Sequence, residues 1–103
     1  ARAQKILDDA SARAADVMRI ANESVAKVNA EADKQAAQLN AEGKKKGTIG
    51  ELAAKKAAEK VKKEAAEKSA KIVAEAQKQS DNILAKAREE SDKIIQDAKN
   101  KAE

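Results

Sequence analysis

The sequence predicts an all-α fold: an antiparallel helical hairpin of two long helices, packed through an 11-residue (hendecad) repeat as a straight to weakly right-handed coiled coil. Three observations carry that expectation. The 103 residues include no Pro, Ala, Lys and Glu dominate, and 39% of residues are charged; this is the composition of long helices or coiled coils. Apolar and small residues return every 11 positions along the chain. All three glycines fall in one short stretch, at Gly43, Gly47 and Gly50. The single domain then reads as helix 1 over about 2–42, a turn over 43–48 and helix 2 over about 49–103.

In helix 1, Ile6, Val17, Val28 and Leu39 are 11 apart. A second class is small: Ala10, Ala21, Ala32 and then Gly43. A third, nearly as small, is Ala3, Ala14, Val25 and Ala36, and a fourth, mixed, is Leu7, Met18, Asn29 and Asn40. Steps of 3, 1, 3 and 4 between the classes put all four on one helical face. Eleven residues over three turns is about 3.67 per turn, a little above the 3.6 of the α-helix, hence the supercoil expectation. Met18 lies on the stripe and reads as packing. Opposite charges at i,i+4, such as Arg19–Glu23, Glu51–Lys55 and Glu64–Lys68, each add about 0.2–0.5 kcal/mol to an exposed helix surface.

The middle reads as a reversal. Gly43 fits the left-handed residue that ends a helix, and Lys44, Lys45 and Lys46 stand where the carboxyl end of the helix dipole favours cations. Thr48-Ile49-Gly50-Glu51 matches a capping box that starts the next helix. The rival is one unbroken helix of about 155 Å, in which each interior Gly costs roughly 1 kcal/mol. The lysines at the turn could meet phosphate, anionic lipid or nucleic acid; a solvated cap is the simpler reading, because a polybasic lipid signal takes a longer cluster.

Helix 2 continues the repeat. Val61, Ile72, Ile83 and Ile94 are its large class, and Ala54, Ala65, Ala76, Ala87 and Ala98 its small one. Ala58, Ser69, Ser80, Ser91 and Ala102 act as small spacers, with Val73, Leu84 and Ile95 in the fourth class. An apex at Lys45 makes the numbers of facing residues add up to 90: Ile6 with Leu84, Leu7 with Ile83, Val17 with Val73, and Met18 with Ile72. Pairing in that register worsens near the turn, where Val28 meets Lys62 and Leu39 meets Glu51, so a looser turn end is expected. It also leaves residues 91–103 without a partner in the hairpin. The expected interaction seam is therefore Ile83, Leu84, Ala87, Ile94, Ile95, Ala98 and Ala102, covered by a second copy of the chain or by a partner helix. Two hairpins forming a four-helix arrangement is the simplest case.

The missing residue types remove chemistry. The chain has no His, Cys, Phe, Tyr or Trp. It thus lacks the parts of a Ser-His-Asp triad, a thiol nucleophile or an ordinary zinc or haem site. No catalytic residue, metal ligand or cofactor is expected, and the chain reads as a non-enzyme. Asp8-Asp9 and Glu89-Glu90 are neighbours in sequence, but adjacent side chains diverge by roughly 100° on a helix. The net charge of +4 comes from 22 basic and 18 acidic residues with interspersed signs, a solvated surface rather than a nucleic-acid footprint. Nucleic-acid binding is further disfavoured by the absence of aromatic platforms. Peripheral lipid contact is disfavoured because the repeat face is narrow and rich in Ala. No apolar run approaches the ~20 residues of a membrane span. A chain that begins at Ala1 rather than Met is expected to be a processed or trimmed product.

The run Ala70–Glu103 contains Ile72-Val73-Ala74-Glu75-Ala76, Ile83-Leu84-Ala85-Lys86-Ala87-Arg88-Glu89-Glu90 and Ile94-Ile95-Gln96-Asp97-Ala98-Lys99. It resembles the peripheral-stalk subunits of rotary ATPases, which form long right-handed coiled coils with 11-residue repeats. The chain is also similar to Ala/Lys-rich bacterial envelope proteins with a helical hairpin, and more weakly to desiccation-protective proteins with 11-residue repeats. The repeat and its unpartnered end predict a self-associating or helix-docking structural protein; the resemblances imply two further roles, a stalk or tether component of a larger assembly, or a stress protectant that is disordered until it folds on a surface. The envelope resemblance also implies an envelope or secreted location.

Overall fold

The structure, a computed structural model, describes residues 2–102, with Ala102 described by its backbone alone. It is an all-α helical hairpin. Helix α1 spans Arg2–Lys44 and helix α2 spans Gly47–Ala102, and the two pack against each other. The turn is shorter than the stretch 43–48: only Lys45 and Lys46 lie between the helices. The chain divides into two compact units. The turn unit is Asn22–Val73, and the terminal unit joins Ala1–Ala21 to Ala74–Glu103.

In the turn unit, two tight bonds close the end of α1. The Lys45 N–H donates to the Glu42 carbonyl at 3.2 Å, and the Lys46 N–H to the Gly43 carbonyl at 3.0 Å. These i→i−3 bonds tighten the last turn of the helix. The left-handed residue is Gly47, at φ 85°, and not Gly43 as the order of glycines suggested. A missing Cβ removes the steric cost of that conformation. Gly43 stays helical and buried, and its Cα sits where any Cβ would overlap the Cβ of Ala54 and lie 2.8 Å from the Gly50 carbonyl oxygen. Thr48 lies inside α2 rather than at its cap, so the capping-box expectation fails: the reversal at Gly47 starts the helix one residue too early for it.

The register also differs from the expectation. Gly43 faces Ala54, and the Ser69 hydroxyl donates to the Asn29 side-chain oxygen at 3.4 Å. Facing numbers therefore add up to 97 or 98, not 90. The reason lies at the turn. The reversal falls at Gly47, later than an apex at Lys45, and Gly43 packs against both Gly50 and Ala54, one turn apart on α2. At a sum of 97, Ala32 faces Ala65, Val28 faces Ser69 and Leu39 faces Ala58. Ala32, Ala36, Ala58 and Ala65 are buried, whereas Val25, Val28, Leu39, Val61 and Ile72 are half-buried. In this register Val28 and Leu39 face small residues rather than Lys62 and Glu51.

In the terminal unit, Ile6, Asp9 and Arg13 line one groove with Glu90, in keeping with the same register. The unit's buried residues are Ala10, Ala14 and Ala21 on α1, with Ala76, Ser80, Ala87 and Ser91 on α2. The sum of 97 sets Ala10 against Ala87, Ala21 against Ala76, Val17 against Ser80, and Ile6 against Ser91. In that register large side chains face small ones, where the expectation had large facing large. Ser91, expected to overhang, is 2% exposed, and Ile94 is half-buried. Close approach of the helices follows from this arrangement, because nothing bulkier than Ala or Ser stands at the centre of the seam.

The outer surfaces are held locally. Gln4 donates to Asp8 and Gln77 to Asp81, both at 2.9 Å, with weaker bonds from Gln35 to Glu31 and Gln96 to Asn100. Arg19 approaches Asp16 at 3.8 Å with both side chains well exposed. An exposed pair of that kind contributes little. Glutamine–carboxylate bonds at i,i+4 thus support the exposed helix surfaces.

Candidate interaction faces

The seam consumes its small residues and leaves its large ones at the edges. No large side chain is fully buried among the described residues, and the buried apolar core is made of alanines. A buried methyl contributes roughly 0.8 kcal/mol, against 1.5–3 kcal/mol for a fully buried Leu or Ile. Much of the apolar area that this chain could bury remains available.

The residues of the expected interaction seam separate accordingly. Ala87 is buried against α1, while Ile83 and Ile94 are half-buried. Leu84 is 37% exposed, Ile95 is 44% exposed, and Ala98 is exposed. The Ala102 side chain lies outside the described residues. The structure thus takes Ala87, Ile83 and Ile94 into the hairpin and leaves Leu84 and Ile95 outward.

Leu84 and Ile95 share a face with residues of α1. Each stands one position after a seam residue, as Leu7 and Met18 do after Ile6 and Val17. In an antiparallel pair, a local twofold axis runs normal to the plane of the two helices. It carries equivalent positions onto the same side. Leu7, Met18, Leu84 and Ile95 therefore line one side of the terminal unit, with Leu7 and Met18 half-buried. In the turn unit, the same repeat position holds Asn29, Asn40, Glu51 and Lys62, all exposed, and lastly Val73, 37% exposed. One position in the repeat is apolar in one unit and mostly polar in the other.

Shallow grooves lie along the seam. One in the terminal unit is lined by Ile6, Asp9, Ala12, Arg13 and Glu90. Another, in the turn unit, brings Lys27, Glu31 and Gln35 opposite Glu64 and Lys68. Both are open and edged by mixed charge. Among the described residues, no cluster of His, Cys, Asp or Glu could hold a metal ion, and no helix is long and apolar enough to cross a membrane.

The turn residues divide as well. Gly43 is buried, whereas Lys44, Lys45, Lys46, Gly47 and Thr48 are exposed. Beside them stand two residues that the repeat did not single out: Ile49, 84% exposed, and Leu52, 59% exposed. Their signal in the sequence was that neither falls in any of the four repeat classes, and the same holds for Ile20, 54% exposed. Compared with family models, curated proteins and solved structures, the chain finds no match.

Proposed function

We propose that this chain is a non-enzymatic structural coiled coil that pairs with a second copy of itself through the Leu7–Met18–Leu84–Ile95 side of its terminal unit. The observation that supports it best is the partial exposure of Leu84 and Ile95 on a face whose repeat position is polar from Asn29 to Lys62. A seam of alanines and serines stabilises the hairpin only modestly, so covering this side adds apolar burial that the isolated hairpin lacks. Two copies related by a twofold axis present the same strip to each other, the ordinary geometry of a homodimer. A four-helix arrangement results.

Sedimentation velocity over about 5–500 μM, a range that brackets weak to moderate association, tests this reading. The expected result is a concentration-dependent shift from monomer to dimer, lost in the double variant Leu84→Lys/Ile95→Lys. A monomer throughout, with helical circular dichroism intact, overturns it. Equal association of the double variant overturns the choice of face.

A further inference from the structure

We propose that the turn end of the hairpin is a docking surface for an anionic lipid membrane, with Ile49 and Leu52 entering the headgroup layer and the surrounding lysines meeting lipid phosphates. Two separate observations converge there. Ile49 and Leu52 are the two most exposed large apolar side chains among the described residues. Residues 44–63 hold eight lysines and two acids, Glu51 and Glu59, a net +6 in a chain whose total is +4. The remaining residues therefore sum to −2, and Glu42 and Glu64 bound the basic stretch.

The placement on α2 orders these groups. Ile49, Leu52, Lys56, Lys60 and Lys63 follow at steps of 3, 4, 4 and 3, one stripe of the helix. All five are exposed, so the stripe faces away from α1. Its apolar members come first, in the turn of helix next to the reversal, and its cations follow. From Ile49 to Lys56 the helix rises about 10 Å. That matches the depth of roughly 5–10 Å to which apolar groups of interfacial helices enter a membrane. Lys44, Lys45 and Lys46 extend the cationic ring at the turn, and lysine stems reach outward while their apolar portions stay in the interface. An anionic surface concentrates such a cluster.

Other polyanions fit less well. Nucleic acid would use the lysines but leave Ile49 and Leu52 without a role, and the chain has no aromatic ring to stack on a base. The narrow, Ala-rich repeat face does not bear on this site, because Ile49 and Leu52 lie outside it, and Lys55, Lys56, Lys60, Lys62 and Lys63 extend the cluster beyond the three turn lysines. This inference concerns the turn unit alone and does not depend on self-association.

The test is co-sedimentation of the full chain with vesicles of phosphatidylcholine alone, or with about one-third phosphatidylserine, at about 0.05 M and 0.5 M salt. Binding to the anionic vesicles at low salt, weakened at high salt and absent from neutral vesicles, is the expected result. Lys44→Gln/Lys45→Gln/Lys46→Gln should weaken binding by about fivefold for each lysine, and Ile49→Ser/Leu52→Ser by about tenfold or more. These residues are exposed, so helicity by circular dichroism should not change. No binding to anionic vesicles at low salt overturns the proposal. Equal binding by the Ile49→Ser/Leu52→Ser variant also overturns it, because it reduces the site to a charge effect that any polyanion would satisfy. Tighter binding to duplex DNA than to anionic vesicles at matched salt overturns the choice of partner.

Discussion

Gly43 and Gly50 meet backbone to backbone: a Cβ on Gly43 would lie 2.8 Å from the Gly50 carbonyl oxygen, and a Cβ on Gly50 would lie 2.9 Å from that of Gly43. Neither glycine has the left-handed conformation. Both are glycine because the first turn of α2 packs backbone to backbone against the end of α1 at this point. The reversal at Gly47, later than Lys45, goes with the shifted register of the turn unit.

Gly43→Ala should therefore destabilise the protein by about 1–3 kcal/mol, the usual cost of overpacking, even though Ala is the better helix former by roughly 1 kcal/mol. Urea melts followed by circular dichroism measure this. Unchanged or higher stability would mean that the backbones are not in contact.

Gly47 makes a contrasting case. Nothing lies within 4 Å of a Cβ placed there, and its φ is +85°. Gly47→Ala should cost about 1–2 kcal/mol, from left-handed strain alone. Gly47→Asn should recover part of that loss, because Asn tolerates the conformation better. An equal loss for Asn and Ala would point to a steric cause instead.

The seam should discriminate by position. Ala87 is 3% exposed and Ala85 is exposed. Ala87→Leu should destabilise by about 1–3 kcal/mol by forcing the helices apart, whereas Ala85→Leu should stay within about 0.5 kcal/mol, as surface changes usually do. Thermal melts of the two variants give the comparison.

Much of the fold was legible in the sequence, because an 11-residue period can be read directly from Ile6, Val17 and Val28 and because three glycines mark the only break. The choice among the glycines was not legible. The first glycine after a helical run is the ordinary stop, but Gly43 is needed for approach and Gly47 for the reversal. The register was not legible for the same reason: an apex at Lys45 centres the reversal between Gly43 and Gly47, whereas it falls at Gly47 itself. Pairing large with large looked favourable for burial. The structure instead buries the small Ser80 and Ser91 and leaves Leu84 37% exposed. Ile49 and Leu52 were overlooked because reasoning from the period attends to residues that obey it.

The Ser69–Asn29 bond crosses the seam at 3.4 Å, long for a hydroxyl donor. Asn29→Ala should change stability by less than about 1 kcal/mol. A larger loss in urea melts would mean that this polar contact, rather than the small-residue layers, specifies the register.

The register decides which side chains the hairpin covers and which it leaves for a partner, so disulfide trapping tests the account most directly. The chain has no cysteine, which makes engineered pairs unambiguous. Ala32→Cys/Ala65→Cys stands at the sum of 97, and Ala32→Cys/Ala58→Cys at the rejected sum of 90, seven residues or about 10 Å away along α2. A disulfide needs Cα atoms about 4.4–6.8 Å apart. Mild oxidation of dilute protein should close the first pair within one chain and leave the second open. Closure of the second pair in preference to the first would contradict the register, and with it the outward placement of Leu84 and Ile95.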